Sequence, residues 1–137
     1  MSGYTNRVRG TGAMLNYLVL GLILLDVALN VVGQLSLKFG MSKMGNFSVS
    51  LPSLTSVFAR AATNPYILLG VLCYGTGFLV WLIVLSKAEV SYAYPMISLG
   101  YVFTAILAWQ LLGEHVTVIR IVGIIITCLG VVIIARS

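Results

Sequence analysis

The first of four long apolar runs, residues 15–37, reads LNYLVLGLILLDVALNVVGQLSL. At about 1.5 Å of rise per helical residue, this run spans roughly 30–35 Å, which is enough to cross the hydrocarbon core of a bilayer. Three runs of similar length follow at residues 66–86, 90–112 and 116–135. The sequence therefore predicts an all-α integral membrane protein with four transmembrane helices.

The composition agrees with this prediction. Of 137 residues, 60% are hydrophobic and 8% are charged, and the mean hydropathy is +1.08. A soluble domain carries about a quarter charged residues, so an ordinary soluble enzyme is excluded, and disordered chains are poor in apolar residues. The net charge is +5. The basic residues stand singly at the ends of apolar runs, which is typical of membrane-flanking charge, so no nucleic-acid partner is predicted.

The segments outside the runs are tails and connections. Residues 1–14 are polar and glycine-rich, and we expect a mobile tail before a single transmembrane domain at 15–137. In the long connection at 40–64, apolar residues recur at helical spacing over 51–60, which predicts a short amphipathic helix on the membrane surface, with an irregular loop as the alternative. The eight basic residues divide equally between the two sides. This balance leaves dual insertion and finer charge placement both open.

Polar side chains interrupt the first run. Asp26, Asn30 and Gln34 recur every four residues, and Lys38 continues this helix face towards one membrane surface. An ionised carboxylate at mid-membrane costs roughly 2.5–3.5 kcal/mol, so Asp26 is predicted to carry a proton or contact a cation; a protonated Asp bonded to a neighbouring backbone is the alternative. The stripe is predicted to line a headgroup path or, alternatively, to join helices by hydrogen bonds. Lys38 either binds an anion or only snorkels to the interface.

The second and third runs add further candidates. Tyr74 offers a hydroxyl to the interior or merely fills space, beside glycines that allow close helix approach. In the third run, Pro95 lacks a backbone donor and Gly100 weakens the helix, which predicts a bend. Irregular backbone at membrane depth is tolerated where it lines a cavity. The bend is therefore predicted to border a ligand path, or to be a kink with tyrosines in the aromatic belt, and its side chains are Tyr94, Ser98 and Tyr101.

The fourth run carries small residues on one face, Gly123, Thr127 and Gly130, which predicts a helix contact surface between subunits. No Ser/His/Asp set, paired carboxylates, His/Cys metal cluster or glycine-rich phosphate loop is present in the sequence. We therefore expect no enzyme activity, no metal and no cofactor.

Two strings carry a family resemblance. Residues 30–38, NVVGQLSLK, and 93–101, AYPMISLGY, followed by LLGE at 111–114, resemble small four-helix members of the drug/metabolite transporter superfamily. The strings are most similar to the small subunits of the aminoarabinose–undecaprenyl phosphate flippase. The resemblance implies a multi-pass protein of the bacterial inner membrane that works among membrane lipids. It also implies a polyprenyl-phosphate-linked sugar as substrate, and a second subunit that is identical or related.

The chain is more distantly similar to the small multidrug resistance exporters, which couple drug export to protons through one glutamate in the first helix. Asn30 stands at that position here, and Ile97 replaces a tryptophan of the drug site, whereas Tyr74 and Tyr94 match its tyrosines. The connection at 40–64 is also longer than in those exporters. These departures argue against proton-coupled cation export, although Asp26 lies one turn away on the same face.

Three hypotheses follow. In the first, the chain flips a lipid-linked sugar, and Lys38, with Lys87 or Arg60, meets the phosphate. In the second, the chain exports cationic drugs or polyamines, driven by protons through Asp26. In the third, the chain is a non-transporting membrane scaffold for a glycosyltransferase system. Under the first hypothesis, Asp26 is either the coupling site or a contact for a positively charged group on the substrate.

Overall fold

The structure is a computed structural model that describes the backbone of residues 2–137 and the side chains of residues 16–137. The predicted mobile tail, residues 1–14, lies outside the residues whose side chains are described. The described backbone forms six helices: α1 (Ser2–Met44), α2 (Leu51–Ala61), α3 (Pro65–Leu85), α4 (Val90–Ile97), α5 (Leu99–Leu112) and α6 (Val118–Ala135). Within residues 2–137 there is no strand.

Four helical spans are long and apolar enough to cross a membrane, with α4 and α5 together forming the third. They are Asn16–Met44, Pro65–Leu85, Val90–Leu112 and Val118–Ala135. The predicted fold class, four transmembrane helices and one short additional helix, is confirmed. The first span continues past its predicted end at Leu37 to Met44, because its last turns pack closely against the start of α3.

Glycines bring α1 and α3 into close antiparallel contact. A Cβ atom on Gly33 would lie 3.3 Å from the carbonyl oxygen of Gly70, and one on Gly40 would lie 2.6 Å from a side-chain carbon of Ile67. At Gly70, a Cβ atom would meet the side chain of Leu37 at 2.6 Å. Small residues at these positions let the two backbones approach, which favours association where lipid offers no hydrophobic driving force.

The core lies along one face of α1. A stripe of buried apolar side chains, one on every fourth residue of α1, packs against residues from α3, α4 and α6: Val19, Ile23, Val27 and Val31 with Val84, Ala93, Met96 and Val131. Helix α1 contacts α2, α3, α4 and α5. It therefore positions most of the bundle, whereas α6 buries only Val131 among the described residues.

Helix α2 forms where the helical spacing predicts it, with Pro52 in its first turn, a position at which the missing N–H costs no helical bond. Val57 is buried against Met44 of α1 and Ile67 of α3, while Phe58 is exposed. The short helix is thus attached to the bundle by one apolar face. Its position on a membrane surface stays a prediction.

The third span is broken between Ile97 and Leu99, next to Pro95. Around the break, the backbone N–H of Ser98 donates to the carbonyl oxygen of Pro95 at 3.1 Å, and that of Tyr101 donates to the carbonyl oxygen of Ser98 at 3.0 Å. Both are i→i−3 bonds, which tighten the chain relative to an α-helix. The break lies in the first half of the span and borders a cavity within the bundle.

Candidate functional site

A cavity of about 430 Å³ lies within the bundle, between α1, α3 and the broken third span. Its volume falls in the range of small-molecule sites, roughly 300–1,000 Å³. Its walls combine one carboxylate, one amide and several hydroxyl groups with aromatic rings: Asp26, Asn30, Tyr74, Phe78, Trp81, Tyr94, Pro95, Ile97, Ser98 and Tyr101. The structure therefore brings together most of the predicted path residues.

Asp26 is the charged residue buried in the described part of the chain, with 3% of its surface exposed. It lies on α1 opposite Gly77 of α3, where an added Cβ atom would come within 3.0 Å of its Oδ1 atom. Asn30 donates from Nδ2 to the backbone carbonyl of Asp26 at 2.9 Å. Among residues 16–137, no side chain forms an ion pair with the Asp26 carboxylate. The described side chains therefore leave the carboxyl group of Asp26 without a positively charged partner.

Aromatic side chains of α3 form a second wall. The Tyr74 hydroxyl donates to Gln34 Oε1, which connects the polar stripe of α1 to this wall. The Trp81 ring lies edge-on to Tyr94, with 6.1 Å between ring centroids and 64° between ring planes. Such rings attract cations placed over their faces. The α3 wall can therefore both hold a hydroxyl group and favour a positive charge near Asp26.

The broken span supplies the third wall. The Ser98 hydroxyl donates to the Pro95 carbonyl at 2.5 Å, so its oxygen keeps acceptor capacity for a ligand. Tyr94 and Tyr101 are 66% and 67% exposed. The cavity is consequently open beside these two tyrosines. Gly100, on the same segment, faces α1, because its added Cβ atom would meet Val27 and Val31 at ordinary van der Waals distances.

The three predicted phosphate contacts are not brought together. Lys38 Nζ lies 3.4 Å from Glu114 Oε1, at the end of the bundle where α1 ends. Arg60 lies near the same end and donates from Nη2 to the Met44 carbonyl at 3.4 Å. Lys87 follows the C-terminus of α3, which is antiparallel to α1, and so lies at the opposite end.

The small-residue face of α6 is also separate from the cavity. Thr127 donates from its hydroxyl to the Gly123 carbonyl at 3.0 Å, within its own helix. Added Cβ atoms on Gly123 and Gly130 would meet nothing within 4 Å among the described residues. Within the described chain, Gly123 is exposed and Thr127 and Gly130 are half-buried.

Three residues of the cavity wall, Phe78, Trp81 and Ile97, were not predicted as site residues from the sequence. A signal was present for α3, because Tyr74, Phe78 and Trp81 are spaced four and three apart and share one helix face. In a span where most residues are apolar, that spacing does not separate a ligand wall from ordinary packing. Within residues 16–137, no group of three metal-ligating side chains is present.

Comparisons with known proteins agree with this architecture. A sequence profile of the EamA-like transporter family matches residues 13–136. The chain is 34% identical over 116 residues to the probable 4-amino-4-deoxy-L-arabinose-phosphoundecaprenol flippase subunit ArnE of Pseudomonas fluorescens strain Pf-5, covering 84% of this chain and 95% of the relative. It is 31% identical over 118 residues to the equivalent protein of strain Pf0-1, covering 86% and 97%.

A shorter match, 38% over 69 residues, covers 50% of this chain and 62% of the Klebsiella pneumoniae strain 342 protein of the same name. No solved structure matches the chain. Four apolar spans and a family match over nearly the whole length identify a multi-pass transporter of the bacterial inner membrane. The chain belongs to the EamA-like transporter family.

Proposed function

We propose that this chain is one subunit of a flippase that moves a polyprenyl-phosphate-linked amino sugar across the inner membrane. The observation that carries the proposal is the buried Asp26 carboxylate, which faces an aromatic cavity in the middle part of the bundle. The names of the Pseudomonas fluorescens relatives specify a lipid whose sugar carries an amine. A protonated amine is the kind of group that a buried carboxylate surrounded by aromatic rings would recognise.

The remaining cavity groups suit the rest of the sugar. Asn30, Tyr74 and Ser98 offer amide and hydroxyl groups to sugar hydroxyls, and Gln34 extends the polar surface towards Lys38. The prenyl chain would stay in lipid, outside the open side of the cavity at Tyr94 and Tyr101. No cofactor is required, because the proposed transport forms and breaks no covalent bond.

The open side of the cavity supports a two-subunit arrangement. With Tyr94 and Tyr101 two-thirds exposed, one copy of the chain supplies only part of a wall around a sugar. A second subunit, identical or related, would close the cavity from this side. The names of the Pseudomonas fluorescens relatives describe subunits as well.

The proposal is tested by the amine preference of the purified full-length protein, measured by native mass spectrometry. The probes are the polyprenyl-phosphate-linked amino sugar and its N-acetylated form, which has lost the positive charge. We expect the amine form to bind about tenfold more tightly or better, because a hydrogen bond to a charged group is worth roughly 1.5–3 kcal/mol. Asp26→Asn should remove the preference. Glu89→Gln, which neutralises an exposed carboxylate outside the cavity, is the matched control.

The same experiment separates the rival functions. Binding of hydrophobic cations that depends on Asp26, with no binding of either lipid, would replace the flippase with a cation exporter. A chain that binds neither class and is insensitive to Asp26→Asn would instead act as a membrane scaffold. Equal binding of the amine and N-acetyl lipids would refute amine recognition by Asp26.

A further inference from the structure

Two basic side chains form a cationic corner where α1 and α2 end and α3 begins. Lys43 Nζ lies 4.6 Å from the centroid of the Tyr66 ring and 5.0 Å from that of the Phe39 ring. Arg60 reaches across from α2 to the backbone carbonyl of Met44, the residue that follows Lys43. The cationic corner, defined as Lys43 and Arg60, therefore gathers two positive charges from two helices.

Among residues 16–137, this corner has no acidic partner. The whole sequence holds three acidic side chains. Asp26 is buried beside Gly77, and Glu114 lies 3.4 Å from Lys38. Glu89 precedes α4 at the opposite end of the bundle. The Lys38 charge is thus balanced by a carboxylate, whereas the charges of Lys43 and Arg60 are not. An anion at this end would gain more from the cationic corner than from Lys38.

An apolar groove of about 610 Å³ runs beside the corner, between α2 and the adjoining ends of α1 and α3. We define the apolar groove by the side chains Leu37, Met41, Leu54, Phe58, Leu68 and Val71. Phe58 on its rim is 71% exposed. A cationic corner next to an apolar groove matches a ligand with an anionic head and a flexible hydrocarbon chain.

The groove and the corner are held in place by the backbone. Asn64 donates from Nδ2 to the Gly40 carbonyl at 3.3 Å, which ties the start of α3 to the last turns of α1. Gly40 also packs so closely on Ile67 that a Cβ atom would lie 2.6 Å from it. The two basic side chains therefore extend from a fixed junction of three helices.

We propose that the cationic corner and the apolar groove form a loading site for a polyprenyl phosphate, in which Lys43 and Arg60 bind the phosphate and the groove holds the nearest isoprene units. The proposal rests on the proposed flippase function. Along α1, Lys43 lies about 25 Å from Asp26 at ~1.5 Å per residue, so one headgroup cannot occupy both sites at once. The loading site therefore precedes or follows occupation of the Asp26 cavity.

The test measures binding of undecaprenyl phosphate, which has no sugar and no amine, to the full-length protein by native mass spectrometry. We expect the double variant Lys43→Gln/Arg60→Gln to bind at least about tenfold more weakly, since two charge-assisted contacts are lost. The matched control, Lys87→Gln/Arg136→Gln, removes the same charge from exposed positions at the opposite end and should bind within about twofold of the parent. An equal loss of undecaprenyl phosphate binding in both double variants would refute the proposed loading site.

Two lipid probes identify the occupant. Dioleoylphosphatidylglycerol carries an anionic phosphate on two acyl chains, and undecaprenol carries the prenyl chain without phosphate. Both lipids should compete poorly with undecaprenyl phosphate for binding to the protein. Effective competition by phosphatidylglycerol would show an ordinary bilayer-lipid contact, and effective competition by undecaprenol would remove the role of the phosphate; either result overturns the proposal.

A variant in the apolar groove tests the loading site independently, even if the charge variants fail to fold. Phe58→Ala shortens an exposed side chain on the groove rim and should weaken undecaprenyl phosphate binding about fivefold through lost apolar contact. Phe103→Ala, at a 52% exposed position on α5, is its control and should have no effect. Asp26→Asn should leave undecaprenyl phosphate binding unchanged. If the parent protein binds undecaprenyl phosphate at the loading site but shows no preference for the amine form of the sugar lipid, the proposed function is refuted and the loading site is not.

Discussion

At Gly77, the interface between α1 and α3 leaves little room for a side chain next to the Asp26 carboxylate. The Cβ atom of an alanine would lie 3.0 Å from Asp26 Oδ1. We expect Gly77→Ala to displace this carboxylate and to lower the free energy of unfolding by about 1–3 kcal/mol, as overpacking of a close interface does. The two measurements are the midpoint temperature of thermal unfolding and the preference for the amine form of the lipid. Both should decrease.

Gly75 is the control for this prediction. It lies on the same helix, where an added Cβ atom would meet nothing within 4 Å among the described residues. Gly75→Ala should leave binding unchanged and should hold or slightly raise stability, because alanine favours helix by up to about 1 kcal/mol over glycine. Equal effects at the two glycines would contradict the packing argument.

Single residues differ in how far the sequence could predict their roles. Asp26 and Asn30 were identifiable because helical spacing alone places them on one face, and the structure has both in the cavity wall. The pairing of Lys38 with Glu114 was not identifiable. Its partners are distant in the chain, and only the packing of α1 against the end of α5 brings them within 3.4 Å.

The broken third span is the element whose geometry most affects the cavity. Pro95 has no N–H, and i→i−3 bonds follow it at Ser98 and Tyr101, which line the cavity together with Tyr94. We expect Pro95→Ala to supply the missing helical bond to the Ser91 carbonyl and to make the third span more regular. Amide hydrogen exchange over residues 96–101 should slow, and sugar-lipid binding should weaken about tenfold because the cavity wall moves, consistent with the sensitivity of bound geometry to small displacements.

Gly100→Ala tests whether the glycine contributes to the same break. Its Cβ atom would lie 3.7 Å from Val27 and 3.8 Å from Val31, which are ordinary contacts. Hydrogen exchange and binding should therefore change little. If Gly100→Ala alone straightened the span, the break would have to be assigned to the glycine and not to the proline.

At the scale of the elements, the sequence predicted which helices are present better than it predicted where each helix ends. Apolar runs predict spanning helices because their length matches the bilayer, and all four are present. The end of α1 at Met44 was not predictable from hydropathy, since residues 38–44 include polar side chains and the helix there is supported by packing of Gly40 on Ile67. Tertiary contact, which periodicity does not record, determines that boundary.

At the scale of the whole molecule, α6 is only weakly packed and carries a face of small residues of which Gly123 is exposed and Thr127 and Gly130 are half-buried in the described chain. Gly123 and Gly130 have open space where a Cβ atom would lie, and Thr127 bonds within its own helix. Small residues allow close approach of helices in lipid. We expect Gly123→Leu/Gly130→Leu to reduce subunit association about tenfold or more, measured by energy transfer between labelled copies in liposomes.

A glycine-to-leucine substitution on another helix distinguishes an effect on subunit association from an effect on folding. Gly75→Leu places a leucine at an exposed, open position of α3 and should leave energy transfer at the parent level. Because α6 buries only Val131 among the described residues, the α6 variant should still fold and still bind undecaprenyl phosphate at the loading site. Its amine preference should weaken, since the open side of the Asp26 cavity would lose the subunit that closes it. Unchanged energy transfer in the α6 variant would place the subunit contact on another face of the bundle.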